Sequence, residues 1–207
     1  MDLRSLGIRF MVSAERPNMR VQRTVRPHSM KLIWLVLGIS GSGKSYFSHA
    51  AADQLSWFHY EMDLPPYDGP SHWGLRAEWA KYFDDYDIGP FAGAVSDRSL
   101  KSGYAGSVLS FPSNLIACLK EQHVSAALPV AKLVFFTGPE AGCLNSFLQR
   151  EIAIGRFLPA SSWRENNELS YRALAQPWIA PHVVNAFGPS GSRRSFDELF
   201  EHVKSAA

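Results

Sequence analysis

Between an apolar run at residues 32–37 and a helically patterned stretch beginning at Lys44 lies the octapeptide Gly38-Ile39-Ser40-Gly41-Ser42-Gly43-Lys44-Ser45. This juxtaposition limits the fold more than any other feature of the chain. An unbroken apolar run of strand length suits a strand buried on both faces, the condition of a parallel sheet covered by helices. The glycines let the backbone double back and turn successive N–H groups inward, and the following helix brings the positive end of its dipole to the same point. The segment fits Gly-x-x-x-x-Gly-Lys-Ser in the context that the motif requires. Its chemistry is that of a cradle for a nucleoside triphosphate. Gly38, Ser40, Gly41, Ser42 and Gly43 line the polyphosphate, Lys44 reaches the β- and γ-phosphates, and the Ser45 hydroxyl takes a position on Mg2+.

The chain has 207 residues, 46% of them hydrophobic, enough for one domain with a sizeable core. A net charge of +2 gives the whole molecule no strong electrostatic case for nucleic acid or membrane surfaces. The basic residues are uneven: Arg4, Arg9, Arg16, Arg20, Arg23 and Arg26 face only Asp2 and Glu15 before Met30. Residues 1–29 therefore read as a flexible Arg-rich extension, and residues 30–207 as the folded unit. Cys118 and Cys143 are too few and too far apart for a disulfide framework or a zinc site, which points to a reducing, cytoplasmic setting. No apolar run has the length of a bilayer span.

From residue 31 onward short apolar runs alternate with helical patterns, the signature of an α/β fold. The strands predicted are 32–37, 57–62, 106–111, 132–137 and 182–187. The helices predicted are 44–55, 75–86, 113–124, 140–154, 167–175 and 195–206. Leu75, Trp79, Tyr82 and Phe83 share one helical face and are expected to pack in the core. Ser195 and Glu198 form a capping box that fixes the start of the last helix. Pro65, Pro66, Gly69 and Pro70 mark one loop, and Gly89, Pro90 and Gly93 another.

P-loop folds serve motors, switches and small-molecule kinases, so other residues must choose among them. The third strand ends without the carboxylate typical of motor ATPases, and no Asn-Lys-x-Asp element selects guanine. The acidic candidate is Asp63, at the end of the second strand, where ligands of open α/β sheets bind. A carboxylate there can accept a proton from an attacking hydroxyl or hold Mg2+, or else cap the turn before Pro65. Glu61 alternates with it along the strand. Arg150, Arg156 and Arg164, within a segment at about 150–165, are suited to neutralise a transferring phosphoryl group as a lid, or alternatively to solvate a surface helix.

The strand, P-loop and helix, the acid ending the second strand, and Gly155-Arg156-Phe157-Leu158-Pro159 together resemble the small-metabolite kinases of the gluconate kinase and shikimate kinase type. That resemblance implies a three-layer P-loop fold with a five-stranded parallel sheet in the order 2-3-1-4-5. It also implies ATP with Mg2+ and transfer of the γ-phosphoryl group to a hydroxyl of a small polar metabolite. Gly38, Gly43, Lys44 and Ser45 then hold the nucleotide, Asp63 lies near the acceptor hydroxyl, and Arg150 or Arg156 belongs to the lid. Residues 188–192 lie beside the adenine, and Tyr67, Trp73, Arg76 and Arg98 are candidates for the acceptor pocket. The basic pair that gluconate kinases carry before the lid glycine is Ala153-Ile154 here. This departure favours an alternative, a nucleotide-binding regulatory P-loop protein or weak ATPase lacking kinase activity.

Overall fold

The computed structural model describes residues 32–63 and 73–205. The arginines before Met30, the turn from Pro65 to Pro70 and Tyr67 lie outside them. Strand β1 (Ile33–Gly38) is buried along its whole length and forms the centre of a five-stranded parallel sheet. The other strands are β2 (Phe58–Glu61), β3 (Ser107–Ser110), β4 (Lys132–Thr137) and β5 (Val183–Asn185), in the order β2-β3-β1-β4-β5. All pairings are parallel, with Val36 and Glu61 both opposite Ser110 and Gly38 opposite Phe136. The carboxyl ends of β1, β2 and β3 therefore align at one edge, and the residues following them meet there.

Helix α1 (Lys44–Leu55) shares its face of the sheet with α7 (Phe196–Ser205). Their interface with β1 is aromatic. Phe47 lies 4.9 Å from Phe136 and 5.7 Å from Phe196, ring centre to ring centre, and Trp34 packs on Phe47, Trp57 and Phe200. At β2 the alternation of the strand sends Tyr60 to the other face, where its hydroxyl donates to Val95 O. There α2 (Arg76–Asp85) packs on α3 (Gly89–Lys101). The expected core face of α2 is present: Leu75 and Tyr82 are buried, Phe83 is half-buried, and Trp79 stacks on Phe111 at 5.3 Å. The capping box opening α7 also forms, with Ser195 N donating to Glu198 Oε2 at 2.8 Å and Glu198 N to Ser195 Oγ at 3.3 Å.

Three expectations need correction. Residues 89–101, expected as a loop from Gly89, Pro90 and Gly93, form α3. Pro90 sits in its first turn, where its missing N–H is harmless, and burial of Phe91, Ala92 and Val95 outweighs the low propensity of Gly93. The helix expected over 113–124 is a 3-10 helix (Ser113–Cys118) followed by α4 (Glu121–Ala127), because Leu119 is extended and the His123 ring accepts from Lys120 N to start a new helix. Helix α6 (Ala160–Leu174) begins well before residue 167, directly after Pro159, while α5 (Glu140–Ala153) follows β4 as expected.

Candidate functional site

The loop joining β1 to α1 is shaped by close contact as well as by its glycines. Gly41 and Gly43 adopt φ of +87° and +92°. A Cβ on Gly41 would lie 2.0 Å from the Cys143 carbonyl oxygen, so the loop is wedged against the backbone of α5. Ile39 N donates to Phe136 O and Ser42 N to Ile39 O, both at 3.0 Å, which closes the turn. Helix α6 braces it from the side. The Trp163 indole donates to Ser40 O at 3.0 Å, Ser40 N donates to Asn167 Oδ1 at 2.9 Å, and the Ser40 and Ser113 hydroxyls pair at 2.9 Å. Trp163 and Asn167 are almost fully buried. Sequence reasoning put residue 163 inside the lid segment at about 150–165 and gave Asn167 no role beyond opening a predicted helix; the available signal was a large aromatic and an amide at helical spacing.

The loop holds unmet polar capacity. Ser42 Oγ is buried without a hydrogen-bond partner among the described residues. Gly43, the residue capping α1, offers no side-chain acceptor, so the first N–H groups of that helix have no intrahelical partner. Lys44 is only 4% exposed, and its ammonium lies 3.4 Å from Asp63 Oδ2, its one ion-pair partner among the described residues. An orphaned hydroxyl, an uncapped helix start and a sunken cation beside a half-buried carboxylate fit a polyphosphate with Mg2+. Gly38, Ser40, Gly41, Ser42, Gly43 and Lys44 would hold the phosphates, and the Ser45 and Asp63 oxygens suit the hard cation.

Lys44 and Asp63 are thus brought together, with Ser45 next to Lys44 in the first turn of α1. Arg150 and Arg156 converge elsewhere, on Glu151: Arg150 Nη2 lies 2.7 Å from Oε1 and Arg156 Nη1 3.7 Å from Oε2 of this buried carboxylate. Arg164 pairs with Glu140. Arg98 donates to Trp73 O, Trp73 stands against Tyr60 and Phe58, and Arg76 is exposed on α2. A further residue that reaches the loop was missed. Arg193, after β5, donates to Gly41 O at 2.7 Å and lies over the Phe187 ring.

The carboxylate absent from the end of β3 has a neighbour in its place, since Ser110 donates to Glu61 Oε1 at 2.8 Å across the strand pair. His59 stands next to it, its Nε2 2.9 Å from Ser110 Oγ. Burial, and secondarily the His49 ring, push the His59 imidazole down to about 4, so it is neutral at ordinary pH.

A parallel sheet ordered 2-3-1-4-5, with a glycine-rich loop between its central strand and the next helix, defines a three-layer α/β fold of the P-loop type. Among solved structures, the chain is similar to a gluconokinase from Sinorhizobium meliloti 1021, with 18% identity and a TM-score of 0.45 over 84% of this chain and 91% of that one. It is also similar to a shikimate kinase from Acinetobacter baumannii in complex with shikimate, at 16% identity and TM-score 0.45 over 84% and 93%. A tunicamycin resistance protein from Deinococcus radiodurans gives 14% identity and TM-score 0.48 over 85% and 95%. No protein-family model and no curated protein matches the sequence. Among the described residues, no helix is long and apolar enough to cross a membrane.

Proposed function

We propose that the protein is an ATP-dependent phosphotransferase that moves the γ-phosphoryl group to a hydroxyl of a small polar metabolite. The observation that carries this reading is the 3.4 Å pair of Lys44 and Asp63 at the mouth of the P-loop. Incoming phosphate oxygens compete with Asp63 for the Lys44 ammonium, which frees the carboxylate as the acceptor arrives. Asp63 then takes the hydroxyl proton while the acceptor oxygen bonds to the γ-phosphorus and the bridging oxygen leaves with ADP. Backbone N–H groups of the loop and Lys44 stabilise the phosphate charge. Mg2+, held through Ser45 and Asp63, supplies further charge neutralisation when bound. Arg150 and Arg156 act as lid residues by exchanging Glu151 for the phosphoryl group.

That exchange also motivates a second reading. With both arginines held on Glu151, nucleotide occupancy can act as a signal to a partner without transfer. The test is to incubate the full chain with ATP, Mg2+ and a panel of sugar acids, sugars and nucleoside monophosphates, and to look for phosphorylated product. Product that disappears in both Lys44→Ala and Asp63→Asn supports phosphotransfer. Nucleotide binding without product across the panel rejects it in favour of the second reading.

A further inference from the structure

Helix α1 and strand β2 bring together a set of donors that phosphate binding does not use. His49 lies on α1, five residues beyond Lys44, and faces His59 and Glu61 on the edge strand. One donor atom from each of these three side chains lies within 4.8 Å of the other two. The two imidazoles approach with ring centres 4.0 Å apart and Nδ1 atoms separated by 3.2 Å.

Ser110 fixes the tautomer of the inner ring. Its single hydroxyl proton goes to the Glu61 carboxylate, so toward His59 Nε2 it can only accept. His59 Nε2 therefore carries the proton that Ser110 Oγ accepts, which leaves Nδ1, 3.2 Å from His49 Nδ1, as the ring's ligand nitrogen. An imidazole whose far nitrogen is anchored while the near one offers a lone pair is the arrangement that orients histidine ligands on metals. The separation also fits. A tetrahedral cation with metal–nitrogen bonds of ~2.0–2.1 Å holds two nitrogens ~3.3 Å apart, close to the distance found here.

We propose that His49, His59 and Glu61 form a binding site for a late first-row divalent cation of the Zn2+ type, oriented by Ser110 and separate from the Mg2+ position at Ser45 and Asp63. Two imidazole nitrogens and one carboxylate select this class over Mg2+, which prefers oxygen ligands. His59 and His49 bind through Nδ1, and His49, which is exposed, moves its proton to Nε2 through water. Glu61 keeps the Ser110 hydrogen bond on one oxygen and offers the other. The fourth position is open to water. The bound cation ties the helix carrying Lys44 and Ser45 to the strand leading to Asp63, and loading raises the melting temperature of the apoprotein.

The experiment uses full-length, tag-free, chelator-stripped protein titrated by calorimetry with Zn2+ and, separately, with Mg2+. One Zn2+ per chain is expected, not displaced by Mg2+. Affinity should fall more than ~100-fold in His49→Ala and ~10–100-fold in Ser110→Ala, where only an orienting contact is lost. Unchanged Zn2+ affinity in both His49→Ala and Glu61→Gln overturns the proposal. Co2+ substitution of the unaltered chain gives a reading independent of variant folding. Intense visible bands of a tetrahedral nitrogen-ligated ion support the site, and the weak absorption of an octahedral aquo ion overturns it.

Discussion

Replacing Gly41 with alanine tests whether the phosphate loop is held by contact with α5 or merely by its own turn chemistry. The new Cβ would stand 2.0 Å from the Cys143 carbonyl oxygen, 2.9 Å from its carbon and 3.0 Å from Phe147 N. All three are backbone atoms of one helix and cannot give way by changing rotamer. Relief requires the loop and α5 to separate, an overpacking strain of ~1–3 kcal/mol. The left-handed backbone adds ~1–2 kcal/mol for any residue with a Cβ. Gly43→Ala provides the control. Its φ of +92° carries the same backbone penalty, but the nearest atoms, at 3.3 Å, belong to the exposed and flexible Arg193 side chain. The loss of unfolded-chain entropy is common to both substitutions and cancels in the difference. Urea unfolding of the two variants should place Gly41→Ala ~1–3 kcal/mol below Gly43→Ala, with equal denaturant slopes. Equal stabilities would refute the wedge.

Three further outcomes are expected. Trp163→Phe removes the indole bond to Ser40 O and should lower stability by ~1 kcal/mol, with faster hydrogen exchange at the loop amides. Arg150→Ala or Arg156→Ala alone leaves Glu151 one partner and should be mild, whereas the double variant strands a buried carboxylate and should lose ~3–5 kcal/mol, more than the sum, in a double-mutant cycle of urea melts. His59 is ringed by His49 from α1, Glu61 from its own strand and Ser110 from β3, and its folded value of about 4 lies below the ordinary 6.5. With chelator present, the unfolded chain takes up the proton first, so stability is full above 6.5 and falls as pH drops toward 4, by at most ~3 kcal/mol. Imidazole NMR should show the ring neutral through that window, and His59→Gln should flatten the slope.

The P-loop was legible in the sequence because an apolar run, a glycine-rich turn and a helix stand in direct succession, whereas the strand order was an expectation carried by the resemblance to small-metabolite kinases and agrees with the sheet observed. Asp63 could be singled out because strand ends in such sheets share an edge, and the capping box of α7 because it is written in four adjacent residues. Helix α3 was hidden, since Gly89, Pro90 and Gly93 carry local turn signals that only tertiary burial of their neighbours overrules. The convergence of Arg150 and Arg156 on Glu151 depends on how the chain leaves α5. His49 and His59 are ten residues apart and meet only because a helix folds back over the strand that follows it. Ser110 enters that cluster from a strand some fifty residues later, and no spacing rule anticipates it.

The grip of α6 on Ser40 bears on how the molecule comes into being. Trp163 and Asn167 are joined to that serine across 123 and 127 residues of chain. A nascent polypeptide exposing everything through β4 has its glycine turn already written but lacks the two side chains that fasten it. The braced form of the loop therefore arrives late in synthesis, and truncation ahead of Trp163 yields a fragment whose most recognisable motif has lost that brace.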